Sequence, residues 1–335
     1  MSDTLIRTGR LVTVFGGSGF VGRHVVRALA TRGWRIRVAV RRPDLAFHLQ
    51  PLGSVGQIHA VQANVRYPAS VAEAVRGSDA VVDLVGILHE KGRQRFDAVH
   101  SSGARAVAKA AKEAGATAFV HMSALSANAS SLAAYARSKA HGETAVAEAF
   151  PEAIIIRPSL VFGPEDGFFN RFAALARVLP FLPLIGGGET KFQPVFVGDV
   201  AEVVARALDG ELKTATTYEI GGPAVKSFRA LMEYLCGVIR RKRLLVPIPF
   251  PAARLLAQAT EIADTLSLGL LPQTLLITRD QVEMLRSDNV VSPQAIADGR
   301  TLVGLGIHGE PVEVIVPSYL YRFRKTGQYE RSAVA

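Results

Sequence analysis

A chain of 335 residues, 49% hydrophobic and 20% charged, is too apolar to stay disordered and long enough for a large domain with a smaller lobe. Its formal charge of +10 points to an acidic partner: phosphates, anionic lipid or an acidic protein face. The cations are dispersed, with no zinc-finger, homeodomain or RRM pattern setting them among stacking aromatics, which speaks against nucleic acid. One cysteine, Cys236, excludes an internal disulfide, fits a reducing compartment and reads as a small buried apolar residue. The start "MSDTLIRTGR" has no apolar h-region, so no secretory signal is expected. No predominantly apolar, uncharged stretch reaches the roughly 18 residues that span a bilayer. The apolar stretch Thr265 to Thr278 contains Pro272 and should lie on or in something apolar.

Strand and helix signals alternate through the first two-thirds. Apolar, β-rich runs predict strands at residues 11–15, 36–40, 58–62, 80–85, 118–121 and 153–156. Helical stretches are predicted between them at 21–31, 70–75, 101–114 and 134–148. Apolar runs without period-two alternation suit strands covered on both faces, and the alternation implies βαβ units. The expected class is therefore α/β, a doubly wound parallel sheet with a smaller, mainly helical C-terminal lobe. Boundaries are expected at 8–223 for the nucleotide-binding domain and 224–330 for the lobe, with part of the lobe inserted near 165–190. In the later part, "FFNRFAALARVL" predicts a helix running into a proline-glycine loop, "PFLPLIGGG". "VFVGDVAEVVARAL" predicts a helix with Asp199 as its N-cap. "YEIGGP" predicts a strand and turn, Glu165–Asp166 a solvated turn, and the polar tail from Tyr321 a frayed end.

The stretch "VFGGSGFVG" carries Gly16, Gly19 and Gly22 between the first strand and first helix. Glycines so spaced let the backbone turn tightly and approach a pyrophosphate, which the helix N-terminus then faces with amide N–H groups. The second strand, "RIRVAVRR", ends in Arg41 and Arg42, where NAD-binding chains usually carry a carboxylate for the ribose 2′-hydroxyl. Two guanidinium groups suit a 2′-phosphate, so NADP(H) is expected over NAD(H). Asn64 and Val65, after the third strand, stand where such folds bracket the adenine. Val85 and Gly86, after the fourth, let the backbone approach the cofactor's middle. Tyr135 and Lys139 form a Y-x-x-x-K pair on one helix face. There the lysine can lower the tyrosine's pKa and the tyrosine can pass a proton as hydride moves. The histidines show neither H-x-x-x-H nor H-E-x-x-H spacing, so no metal is expected.

With "YARSK", "IRPSLVFGP" and "VFVGDVA" in order after the glycine turn, the chain resembles the extended and atypical short-chain dehydrogenase/reductases. This implies a Rossmann-like fold with NAD(P) at the strand ends. A narrower resemblance rests on "HMSALSANASSLAAYARSKAHGE", "FQPVFVGDVA", the late "LRSDNVVS" and "PSYLYRFR". These are similar to the NADPH-holding accessory subunit of respiratory complex I and its bacterial relatives. That resemblance implies a tightly held NADPH away from the electron path, serving assembly or stability, with complex I subunits as partners. The pyrophosphate would lie on Gly16, Gly17, Ser18, Gly19 and Phe20, extended to Val21 and Gly22. Arg41 and Arg42 would take the 2′-phosphate, Tyr135 and Lys139 the nicotinamide ribose, and Pro158 would touch the same cofactor. The implied place is peripheral, on the cytoplasmic side of a bacterial inner membrane or free in the cytoplasm, and on the matrix side in a mitochondrion. The membrane surface is a further expected partner, through the apolar segment 266–277.

Two residues depart from an active dehydrogenase. In "HMSALS", Ser123 falls one place early and Ala124 holds the position of the family's catalytic serine. One step along a strand end turns a side chain to the other face. His100 stands where extended members carry an asparagine. An alternative function stays open: an active NADP-dependent reductase, epimerase or dehydratase on a hydrophobic or nucleotide-sugar substrate. Tyr135 and Lys139 would be its catalytic pair with Ser123, and Phe168, Phe169 and Phe172 would line an apolar substrate loop. A cofactor-sensing regulator of the same fold is the third possibility.

Overall fold

The computed structural model describes residues 9–266 and 276–329. In chain order the first elements are β1 (Leu11–Phe15), α1 (Phe20–Thr31), β2 (Arg35–Val40), β3 (Ile58–Gln62), α2 (Pro68–Val75) and β4 (Ala80–Asp83). A π-helical turn, Asp97–Ser101, leads into α3 (Ser102–Glu113), followed by β5 (Ala118–Met122), α4 (Ala134–Ala149) and β6 (Ile154–Pro158). Next come β7 (Val161–Phe162), α5 (Phe169–Val178), β8 (Phe181–Ile185), β9 (Lys191–Phe192), β10 (Val195–Phe196), α6 (Val197–Leu208) and β11 (Thr217–Ile220). The last third holds β12 (Lys226–Ser227), α7 (Phe228–Val238), β13 (Leu244–Ile248), α8 (Phe250–Leu266), α9 (Arg279–Met284) and, among the described residues, five shorter helical segments.

The chain divides into two compact units: the described part of Met1–Pro158 with Val197–Ile220, and Ser159–Phe196 with the described part of Gly221–Ala335. The insertion is wider than the 165–190 expected, because β7 and β10 pair with each other and close it off. The first unit is built on a seven-stranded sheet of order β11-β6-β5-β4-β1-β2-β3, parallel throughout. Val12, Val14, Val81, Val82 and Ile156 are fully buried, as strands covered on both faces require. Strand order reverses between β1 and β4, which opens a crevice at their C-terminal ends.

The second unit packs around Phe162, Phe169, Leu182, Phe228, Leu231 and Leu235. Phe169 is fully buried, and partly buried Phe168 and Phe172 lie 6.1 and 5.4 Å from the Phe228 ring, so these aromatics pack on the core of this unit rather than standing along a loop. "PFLPLI" is β8, not a loop, because it pairs in parallel with the distant β13. Asp166 is no solvated turn residue. It is 2% exposed and accepts hydrogen bonds from the Tyr319 hydroxyl (2.6 Å) and the amides of Gly163 and Phe168. Burial pushes its carboxyl above the usual range while those donors pull it back. Asp199, in the first unit, is the third residue of α6 and not its N-cap, because the helix starts two residues earlier, at Val197. The described part of the tail is not frayed: Tyr321–Phe323 is helical and Phe323 is buried. Cys236 is half-buried against this core. Most of the apolar segment 266–277 lies outside the described residues.

Candidate functional site

The crevice at the sheet reversal is bounded on one side by the glycine turn. Gly16 has φ +78°, which L side chains rarely adopt, and a Cβ there would lie 3.1 Å from the Leu84 carbonyl. A Cβ on Gly22 would fall 2.2 Å from the Gly16 oxygen, so only glycine lets α1 start this close to the turn. Gly19 is the N-cap, with no side-chain cap and no acidic residue in the first turn. The positive end of α1 is therefore available to an anion.

A cavity of about 250 Å³ lies against this turn. Of the expected residues, Gly16, Ser18, Gly19, Arg41, Asn64, Val65, Val85 and Gly86 line it. Gly17, Phe20, Val21, Gly22, Arg42, Tyr135, Lys139 and Pro158 do not. Gly17 and Gly22 serve the turn's packing; a Cβ on Gly17 would meet Val38 Cγ1 at 2.7 Å. The two arginines part ways. Arg41 lines the cavity, whereas exposed Arg42 pairs with Asp44 at 2.9 Å, which raises the arginine's pKa and lowers the aspartate's. Arg66, which the sequence reading passed over, also lines the cavity, and its amide is fixed by Asn64 Oδ1 at 3.1 Å. Its signal was present in "NVRYP", two places beyond Asn64. A backbone cradle that a Cβ would fill, a helix start and two cavity-side arginines suit a phosphorylated adenine dinucleotide.

The Tyr135–Lys139 corner has a different make. Lys139 is 4% exposed, and its Nζ donates to the Met122 carbonyl at 2.8 Å. Burial lowers its pKa to about 8, against the pull of Asp83 and Glu143. Half-buried Tyr135 stands edge-on to His100 and Phe96, 5.5 and 5.9 Å away. His100 sits on the π-helical turn, 1% exposed. Its Nε2 accepts from the Ile87 amide at 2.9 Å, so its proton is on Nδ1, which donates to Ser138 Oγ at 2.9 Å. Ser138 in turn donates to the Tyr135 carbonyl at 2.7 Å. Burial first, then the charge on Lys139, lowers the His100 pKa to about 3 and keeps the ring neutral. Thus His100 ties the cavity's Leu84–Ile87 rim to the helix that carries Tyr135 and Lys139. Gly86 belongs to both regions. It lines the cavity, and a Cβ on it would come within 3.8 Å of Lys139 Nζ and 3.7 Å of His100 Nε2.

Ser123 is placed differently from a catalytic hydroxyl. It is 4% exposed, and its Oγ is sealed in the interior with no hydrogen-bond partner among the described residues. Ala124, at the family's serine position, is half-exposed. Pro158 is buried at the end of β6, where its carbonyl accepts from the Leu125 amide. Beside Ser123, His121 donates from Nδ1 to Asp83 Oδ2 at 3.0 Å, and Asp83 Oδ1 accepts from the Val85 amide at 3.1 Å. This buried pair pins the same rim and has no counterpart in the sequence reading. Among the described residues no cluster of His, Cys, Asp or Glu is placed to hold a metal ion, and no helix is long and apolar enough to cross a membrane.

Residues 12–221 match the NAD dependent epimerase/dehydratase family. The chain is 35% identical over 332 residues to NADH dehydrogenase [ubiquinone] 1 alpha subcomplex subunit 9, mitochondrial, of Arabidopsis thaliana, covering 98% of this chain and 81% of that one. It is 39% identical over 176 residues to a ceramide reductase of Caulobacter vibrioides, covering 51% of this chain and 54% of that one. The crystal structure of gox2253 shares the fold, with a TM-score of 0.71 at 22% identity over 96% of this chain and 100% of that one.

Proposed function

The chain belongs to the NAD dependent epimerase/dehydratase family, and within it to the family of the subunit 9 proteins; from that premise we propose that it is an NADPH-holding accessory subunit of a membrane-bound NADH:quinone oxidoreductase. Its role on this reading is structural: the bound nucleotide stabilises the fold that docks on the other subunits. The observation that carries it is similarity running through nearly the whole chain, including the part beyond the nucleotide-binding residues 12–221. The N-terminus of α1 would hold the pyrophosphate. Arg41, with Arg66 nearby, would hold the 2′-phosphate, and Tyr135 with Lys139 would hold the nicotinamide ribose. The nicotinamide, when bound, supplies a hydride. For the chain's part, the interior position of Ser123 leaves a substrate carbonyl without that hydroxyl to polarise it. The protein would work peripherally, on the cytoplasmic face of a bacterial inner membrane or the matrix face of a mitochondrial one.

Purification of a tagged chain from native membranes tests this. Complex I subunits and NADPH should come with it, its deletion should lower the amount of assembled complex, and Tyr135→Phe should leave quinone reduction intact. Recovery without any complex I subunit would sink the reading. A second reading, a working NADP-dependent reductase on a hydrophobic substrate, is favoured by the retained Tyr135–Lys139 pair and by the ceramide reductase match. It expects turnover by the isolated protein that Tyr135→Phe abolishes.

A further inference from the structure

Helix α8 is apolar on two opposite sides. One side is used: Ala253 and Ala257 are buried with Ile185 and Val282. The other side carries Leu255, Leu256 and Ile262, which are 69%, 42% and 51% exposed. Strand β13 runs directly into this helix and is just as open. Leu244 and Val246 project from the same face of the strand, 72% and 39% exposed, and Leu244 stands opposite exposed Phe181 on β8. Val178, just before β8, adds a further exposed side chain. Where β13 meets α8 the surface dips into a shallow cavity of about 670 Å³, walled by Pro247, Phe250 and Arg286. Exposed apolar groups contiguous on this scale mark an interaction surface.

The charge along β13 and the link before it has one sign, whereas α8 carries Glu261, paired with Arg279 at 2.8 Å, and Asp264 at its far end, and Arg286 beside the shallow cavity is paired with Glu283. No Asp or Glu occurs from Tyr234 to Thr260, whereas Arg240, Arg241, Lys242, Arg243 and Arg254 all do. Between Gly167 and Gly188 there is again no acid, but there are Arg171 and Arg177. Arg243 is fixed beside the patch by its bond to the Ala176 carbonyl (2.7 Å), and Arg241 by its bond to the Phe323 carbonyl (2.9 Å). On the short irregular link between α7 and β13, Arg240 and Lys242 are exposed, and Arg241 and Arg243 are half-buried. A fluid plane of phosphate headgroups can meet cations at every angle, whereas a rigid acidic protein would need a carboxylate placed for each.

We propose that the β8–β13 face and the outer side of α8 form a seat for an anionic phospholipid bilayer. Leucine and isoleucine side chains enter the headgroup–acyl boundary, and the arginines and Lys242 hold the phosphates. The inference deepens the accessory-subunit reading, since a subunit of a membrane-bound enzyme works beside a bilayer. It is tested without the other subunits, so the two can fail separately.

The test is co-sedimentation of the full chain with vesicles of phosphatidylcholine alone and of phosphatidylcholine containing phosphatidylglycerol. Binding is expected only to the anionic vesicles and should weaken as salt rises. Each cation removed should cost about fivefold in partitioning, so Arg240→Glu with Lys242→Glu should lose well over an order of magnitude. Leu255→Gln with Ile262→Gln should also lose at least about tenfold at constant charge. Both double variants should keep the wild-type NADPH affinity and melting temperature, because every altered side chain is exposed. Equal binding to neutral vesicles, no binding at all, or indifference to both variants would overturn the proposal. So would a concentration-dependent dimer that forms instead and is dissolved by Leu255→Gln with Ile262→Gln, which would assign the face to a second copy of the chain.

Discussion

The glycine turn and the Tyr135–Lys139 corner meet at the Leu84–Ile87 rim, yet they are built from different materials. The turn is made of backbone: a positive-φ glycine, a helix start without a side-chain cap, and an adjoining cavity. The corner is made of buried side chains committed to protein partners, with Lys139 bound to Met122 and His100 bound to Ser138 and Ile87. Holding a nucleotide and reacting it make separate demands. Holding asks for shape and amide dipoles, which the turn presents beside the cavity. Reaction asks for a hydroxyl facing the substrate, and the Ser123 Oγ is buried without a hydrogen-bond partner among the described residues.

Substitutions should break the two regions in different ways. The largest effect is expected at the turn. Gly22→Val forces a Cβ within 2.2 Å of the Gly16 oxygen, and thermal melts should show a loss of about 3 kcal/mol, the upper range for overpacking, together with loss of NADPH binding. At the corner, the effects should depend on pH. Lys139 has a folded pKa of about 8 against 10.5 in the open chain, so it holds fewer protons folded than unfolded between those values. Wild-type stability should therefore gain on the order of 3 kcal/mol relative to Lys139→Met as pH climbs through that window, read by denaturant titration. His100, lowered to about 3, also binds fewer protons when folded, so stability should fall as pH drops from 6.5 toward 3. His100→Asn should flatten that acid limb.

Smaller effects separate the two arginines. Arg41→Glu should weaken NADPH binding by about tenfold or more in a calorimetric titration and leave NADH unchanged, as expected for one lost charge-assisted contact. Arg42→Ala should cost the least. It breaks an exposed, solvent-screened pair with Asp44 and should move NADPH affinity less than the Arg41 change does. Equal effects at the two positions would contradict the division of roles seen at the cavity.

The parallel sheet was largely legible in the sequence because its strands are continuous apolar runs. Leu11–Phe15 and Ile58–Gln62 fall where the periodicity placed them. Gly16, Gly19 and Arg41 were readable because their chemistry is local. What stayed hidden depends on partners far along the chain. Nothing in "PFLPLI" announces β13, whose pairing makes it a strand. Nothing near Asp166 announces Tyr319, 153 residues away, which makes it a core carboxylate. Arg42 is the opposite case: its partner Asp44 stands only two residues on, and that local pairing was there to be read. Ser123 could not be oriented from sequence at all, since a single step along a strand end decides which face it takes.

On the proposed reading, the start of α1 and Arg41 grip a 2′-phosphorylated dinucleotide. Calorimetric titration of the purified chain with NADPH and with NADH decides this. Saturable one-to-one binding of NADPH is expected, at least about tenfold tighter than NADH. No binding of either, or equal binding of both, would contradict it.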